Sequence, residues 1–187
     1  DYINNLREND IDTYVSIKRG SSGLCYTLIS PDGQRTFGLD FGVAKELYEY
    51  EILHTLVKDS EFLHFSAYEF RGDNPINFAT RHAAEIARKH GTKISFDLGD
   101  SFVIQSSREQ IEAFLSQRID VLFANEDEAK TICDDSKDYR KLLRYTDLAV
   151  VKLGPGGALV LTPEREIKVA GYKVEDVRDT NGAGDNF

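Results

Sequence analysis

Val121-Leu122-Phe123-Ala124-Asn125-Glu126-Asp127-Glu128-Ala129 joins a short apolar run to an acidic opening turn. A run this short and this apolar reads as a buried strand, and the polar residues behind it as a strand end passing into a helix. The same grammar recurs on both sides. Upstream, Lys93-Ile94-Ser95-Phe96-Asp97-Leu98 ends at a carboxylate and Gly99; downstream, Leu148-Ala149-Val150-Val151 delivers Lys152-Leu153-Gly154-Pro155-Gly156-Gly157. Helical patterns lie between. Asn74-Pro75 caps a helix whose inward stripe is Ile76, Ala79, Ala83 and Ile86 or Ala87, and Gly91 ends it. Ser107-Arg108-Glu109-Gln110 has the form of a capping box for a helix carrying Ile111, Phe114 and Leu115 inward. A short helix to Ile132 and a second around Tyr139–Tyr145 flank the polar break at Asp134-Asp135-Ser136. Phe62-Leu63-His64-Phe65-Ser66 reads as one more buried strand, preceded by a helix over Val43, Leu47, Tyr50, Leu53 or His54, and Leu56-Val57. Repeated strand-helix-strand units predict a three-layer α/β/α fold around a mainly parallel sheet covered on both faces.

The flanks differ. Residues 1–10 read as the last turn of a polar helix, with Tyr2, Ile3 and Leu6 on one side. Leu24–Ile29 and Gln34–Leu39 are β-rich and joined by Ser30-Pro31-Asp32-Gly33, strong turn chemistry, so they predict a hairpin apart from the main sheet. Its imperfect alternation suits a lid, though an ordinary edge hairpin has the same pattern. The domain expectation is therefore a β lid over 14–42 inserted in an α/β core of 1–13 and 43–187. Ala158–Leu161 and Glu166–Val169 predict a terminal hairpin across Thr162-Pro163-Glu164, and a last strand from Tyr172 to Val177 runs towards Asp179-Thr180-Asn181-Gly182-Ala183-Gly184-Asp185.

Composition narrows the function classes. The 187 residues are 41% hydrophobic, 11% aromatic and 29% charged, as in a soluble globular domain. No apolar run approaches the ~20 residues that cross a bilayer, and no signal segment opens the chain, so the expected location is cytoplasmic with no membrane partner. The net charge of −9 argues against a nucleic-acid backbone binder. Cys25 and Cys133 sit in unlike settings and read as free thiols, and His54, His64, His82 and His90 show no metal-ligand spacing. The chain contains no methionine and opens on Asp-Tyr-Ile-Asn-Asn, which an internal fragment explains more easily than a complete gene product. Both ends read as cut.

In a parallel α/β sheet, ligands gather at the carboxyl ends of the strands. Asp97, Asn125, Lys152 and the Gly154–Gly157 loop all fall at such ends. The turn Gly182-Ala183-Gly184 offers backbone amides suited to an anion, and Asp185 directly after it can take a proton from an attacking hydroxyl. A steric turn and a helix N-cap account for the same residues. Asn125 and Glu128, three apart, can face one ligand and hold Mg²⁺ largely through waters, or form an Asn-x-x-Glu capping box. Lys152 with Gly154, Gly156 and Gly157 suits nucleotide phosphate or ribose; a plain strand connection also uses such glycines. No P-loop string and no dinucleotide Gly-x-Gly-x-x-Gly occurs.

Pro31-Asp32-Gly33-Gln34-Arg35-Thr36, Asn125-Glu126-Asp127-Glu128-Ala129, Val151-Lys152-Leu153-Gly154-Pro155-Gly156-Gly157-Ala158 and Asp179-Thr180-Asn181-Gly182-Ala183-Gly184-Asp185 together resemble the ribokinase-like, or PfkB, carbohydrate kinase family, in its order and across essentially the whole chain. The resemblance implies transfer of the ATP γ-phosphate to a hydroxymethyl group of a sugar or nucleoside. It gives Asp185 the part of catalytic base and Gly182, Ala183 and Gly184 that of anion hole. It ties Asn125 and Glu128 to Mg²⁺ and phosphate, and places Lys152, Gly154 and Gly157 in the nucleotide-side loop. The first hairpin matches the family's substrate lid, which in many members builds a homodimer contact. Asn181 stands where Thr is more usual. Phe96-Asp97-Leu98-Gly99-Asp100 lacks the Asp-Pro-Asn pattern of the ribokinase branch and leans towards the adenosine-kinase-like branch, hence a nucleoside acceptor. The family's opening strands and its helices after the signature have no counterpart in this sequence, which sets a non-catalytic homologue or fragment beside the kinase as the rival expectation.

Overall fold

The computed structural model describes residues 2–30, 35–173, 175, 182–184 and 187. Helix α1 (Tyr2–Glu8) leads through an extended segment to β1 (Leu24–Ile29) and β2 (Arg35–Asp40). These two strands pair antiparallel in their own sheet, with Leu24 opposite Asp40 and Ile29 opposite Arg35. The hairpin therefore stands apart from the main sheet, as its pattern predicts; its turn, residues 31–34, lies outside the described residues. Every β1 residue is exposed, and alternation puts Leu24, Tyr26 and Leu28 on one face.

The single helix expected from Val43 is broken. Two 3-10 turns, Gly42–Glu46 and Glu49–Glu51, precede a short α2 (His54–Asp59). Leu47, Tyr48, Ile52 and Leu53 have extended backbone between them. The Glu51 carboxylate accepts the Tyr48 N–H at 2.9 Å and pairs with Lys18 from the preceding extended segment. Side-chain and tertiary bonds here compete with the helical ladder, and apolar spacing alone carries no trace of them.

The main sheet begins with β3 (Phe62–Ser66), followed by α3 (Pro75–His90), β4 (Lys93–Asp97), α4 (Ser101–Ser106), α5 (Arg108–Leu115), β5 (Val121–Asn125), α6 (Glu126–Ile132), β6 (Ala149–Lys152), β7 (Ala158–Leu161) and β8 (Glu166–Val169). Strand order is β3-β4-β5-β6-β7-β8; the first four are parallel and the last two antiparallel, so the mainly parallel α/β expectation holds. Gly91 closes α3 at φ 79°, and Pro75 opens it, though Asn74 turns its amide to the Arg71 carbonyl instead of capping. Ser107 makes no side-chain cap bond, so the box expected at α5 is absent. The helix of Tyr139–Tyr145 is a 3-10 helix, Tyr139–Arg144. Tyr172 and Lys173 lie in no strand, and most of the expected strand to Val177 falls outside the described residues.

The core gathers where α3, α4 and α5 meet β3 and β4. Phe70, Phe96 and Phe114 are essentially inaccessible, with ring centroids 4.9–5.9 Å apart, and Phe65 stands edge-on to Phe114. Coverage of the sheet is uneven. Strand alternation puts Leu122 and Ala124 of β5 on one face of the sheet, where both are fully buried. Val121 and Phe123, pointing the other way, stay part-exposed. β3 differs from the expected buried strand for a related reason: it is the sheet edge, and of its five residues only Phe65 is buried.

Candidate active site

Parallel pairing brings the carboxyl ends of β4, β5 and β6 side by side. Asp97 pairs in register with Phe123, and Asn125 with Lys152, which places Asp97, Asn125 and Lys152 at one end of the sheet. Lys152 Nζ donates to Asp97 Oδ2 at 2.7 Å. The other Asp97 oxygen accepts the Gly99 N–H at 2.8 Å.

Asn125 ends β5 and caps α6. Its Oδ1 accepts the N–H groups of Asp127 and Glu128, both at 2.9 Å. Glu128 answers: Oε2 accepts the Asn125 N–H at 2.7 Å, and Oε1 accepts from Asn125 Nδ2 at 2.6 Å. The capping-box reading is thus met in full, and it fixes the pair at the strand end. Glu128 is only 3% exposed. Burial raises its carboxyl to about 7; the Asn125 N–H bond and Lys152 oppose this, while Asp97 and Asp100 add to it. With both oxygens engaged by Asn125, this pair suits a cation held through water rather than a direct protein cage. Among the described residues, no cluster of three His, Cys, Asp or Glu side chains could hold a metal ion directly.

Gly154 and Gly157 have positive φ, 55° and 92°. The loop is closed on itself: Leu153 N–H reaches the Gly157 carbonyl at 2.8 Å, and Gly157 N–H the Gly154 carbonyl at 3.0 Å. A β-carbon at Gly157 would lie 2.0 Å from the Val169 carbonyl oxygen, so close backbone packing against β8 is reason enough for glycine there. At Gly154 the space is open. Residues 182–184 form a turn next to Lys152, because a β-carbon placed on Gly184 would sit 3.9 Å from Nζ. Asp185, Asn181 and the preceding Asp179-Thr180 lie outside the described residues.

Several groups at this end escaped the sequence reading. Asp100 caps α4, accepting the N–H groups of Phe102 at 2.7 Å and Val103 at 3.1 Å. Ser66-x-x-Glu69 repeats the Asn125-x-x-Glu128 box at the end of β3, with Glu69 accepting the Ser66 N–H at 2.8 Å. The spacing was available as a signal. Tyr68, pushed up to about 12 chiefly by burial and then by Asp100 and Glu128, packs 6.2 Å from the Phe41 ring at the foot of the hairpin. That aromatic contact joins hairpin and sheet, and only folding reveals it.

An α/β sheet with polar groups collected at its carboxyl ends, beside a detached hairpin, defines a class, and the sequence falls in one family of it. The family described as pfkB family carbohydrate kinase matches residues 1–187, and the chain belongs to that family. It is 29% identical to guanosine-inosine kinase of Escherichia coli (strain K12) over 161 residues, covering 83% of this chain and 37% of that protein. It is 28% identical over 178 residues to ATP-dependent ribose-1-phosphate kinase of Halopiger xanaduensis, covering 95% of this chain and 56% of that one. Among solved structures, adenosine kinase from Sinorhizobium meliloti matches with a TM-score of 0.87 at 26% identity, over 98% of this chain and 58% of that one. The chain thus spans roughly two fifths to three fifths of these relatives' lengths.

Proposed function

We propose that the protein is an ATP-dependent phosphotransferase that moves the γ-phosphate to a hydroxymethyl group of a nucleoside or sugar, with a nucleoside favoured. Family membership and relatives that act on guanosine, inosine, adenosine and ribose-1-phosphate support the reaction class. The observation that carries the site is convergence: Asp97, the Asn125–Glu128 pair, Lys152 and the turn of residues 182–184 meet at one end of the sheet.

In this reading Asp185 takes the proton of the attacking hydroxyl, and the amides of Gly182, Ala183 and Gly184 receive the migrating phosphoryl group. Gly154 and Gly157, in the loop that Lys152 opens, serve the nucleotide side. Asn125 and Glu128 hold Mg²⁺ through water, and when bound the ion supplies positive charge against the phosphates. Glu128 also fixes the Asn125 amide at the strand end. The hairpin of β1 and β2 acts as a lid, and its Leu24, Tyr26 and Leu28 face meets a second copy in a homodimer.

The test is ATP consumption by the intact protein over a panel of nucleosides and sugars. Asp185→Asn should lower kcat by about 10²–10⁴-fold with an unchanged melting temperature. Absence of turnover with every acceptor in the wild type would sink the kinase reading and leave a nucleotide-binding homologue without catalysis.

A further inference from the structure

We infer, resting on that reading, that Asp97 is a positioning residue that aims the Lys152 ammonium at the phosphoryl group in transit, so that Lys152 serves that group and not the nucleotide ribose. The two residues stand on strands separated by β5, yet register puts them on the same face: Asp97 is opposite Phe123, Lys152 is opposite Asn125, and Phe123 and Asn125 alternate in phase. Lys152 Nζ spans the gap to Asp97 Oδ2 at 2.7 Å, while Gly99 N–H holds Oδ1 at 2.8 Å. The carboxylate is thereby fixed at both oxygens and cannot follow a wandering ammonium.

With side chains 15% and 21% exposed, this pair is sheltered, unlike the loose surface pairs that contribute little. The ammonium also borders the turn assigned to the anion, 3.9 Å from where a Gly184 β-carbon would be. A lysine ammonium has three donors, so it can keep Asp97 and still give a proton bond to phosphate. Its four-carbon stem is flexible, and charge stabilises a transition state best when it is already in place. Asp97 supplies that placement without touching the substrate.

The test is a double-mutant cycle in the intact protein with its best acceptor: wild type, Asp97→Asn, Lys152→Met and both together. Each single change should lower kcat about 30-fold or more with the KM for ATP within about 3-fold, and the double variant should match Lys152→Met within about 3-fold. A purely structural role would instead lower the melting temperature and leave kcat per folded, nucleotide-binding molecule intact. Losses that multiply, or Asp97→Asn within about 3-fold of wild type in kcat, overturn the inference while an active wild type preserves the kinase reading. An inactive intact wild type overturns both.

Discussion

Glu128 is nearly inaccessible and yet carries a carboxyl that burial lifts to about 7. Its ordinary value of 4.5 applies when unfolded, so between these two values the folded state binds more protons than the unfolded one. Stability tied to this group is present below 4.5 and is lost as pH rises through about 7. Glu128→Gln removes that dependence, so its melting temperature should gain on wild type as pH goes from about 5 to 8, by the equivalent of roughly 2–3 kcal/mol. Thermal melts in chelator without nucleotide check this; parallel curves for the two proteins would contradict it. The sequence alone offers Asn125 and Glu128 two roles, cap and ligand support. The hydrogen bonds show the cap complete, and they place it beside Asp97 and Lys152.

Glycines separate two kinds of element end. At Gly91 the chain leaves α3 at φ 79° with nothing near a would-be β-carbon. Gly91→Ala should therefore cost only the left-handed backbone term, about 1 kcal/mol. At Gly157, φ 92° coincides with a contact of 2.0 Å to the Val169 oxygen and 2.5 Å to Gly171 N. Gly157→Ala should cost roughly 3 kcal/mol or more, or displace β8 from β7, and denaturant melts of the two variants side by side measure the difference. Both glycines were legible as turn residues. Which one backbone crowds was not, because Val169 and Gly171 come close only after β6, β7 and β8 have paired. The broken helix after Gly42 has the same origin: Val43, Leu47 and Tyr50 keep helical spacing, but Lys18 reaches Glu51 from far away in the chain.

At the scale of the whole molecule, a two-stranded hairpin with no buried residue in β1 has little stability of its own. Leu24, Tyr26 and Leu28 are 52%, 61% and 68% exposed on one face, an apolar surface that burial against a second copy would favour. Tyr26→Ser combined with Leu28→Ser should shift the intact protein from dimer to monomer in light scattering behind size exclusion. The melting temperature of the core should stay within about 3 °C, because these side chains lie outside it. A wild type that is already monomeric at tens of micromolar would remove the dimer contact from the proposal.

The sequence by itself determined the parallel α/β core, the separate hairpin, the strand ends where Asp97, Asn125 and Lys152 fall, and the family. Short apolar strands, Pro and Gly punctuation and capping spacings are local, and they survive in a linear chain. Tertiary structure alone decided that Lys152 bonds Asp97 across β5, that burial moves Glu128 to about 7, and that Tyr68 meets Phe41. Each of these depends on strand register or on water excluded by distant segments, and neither is written in any local pattern of residues.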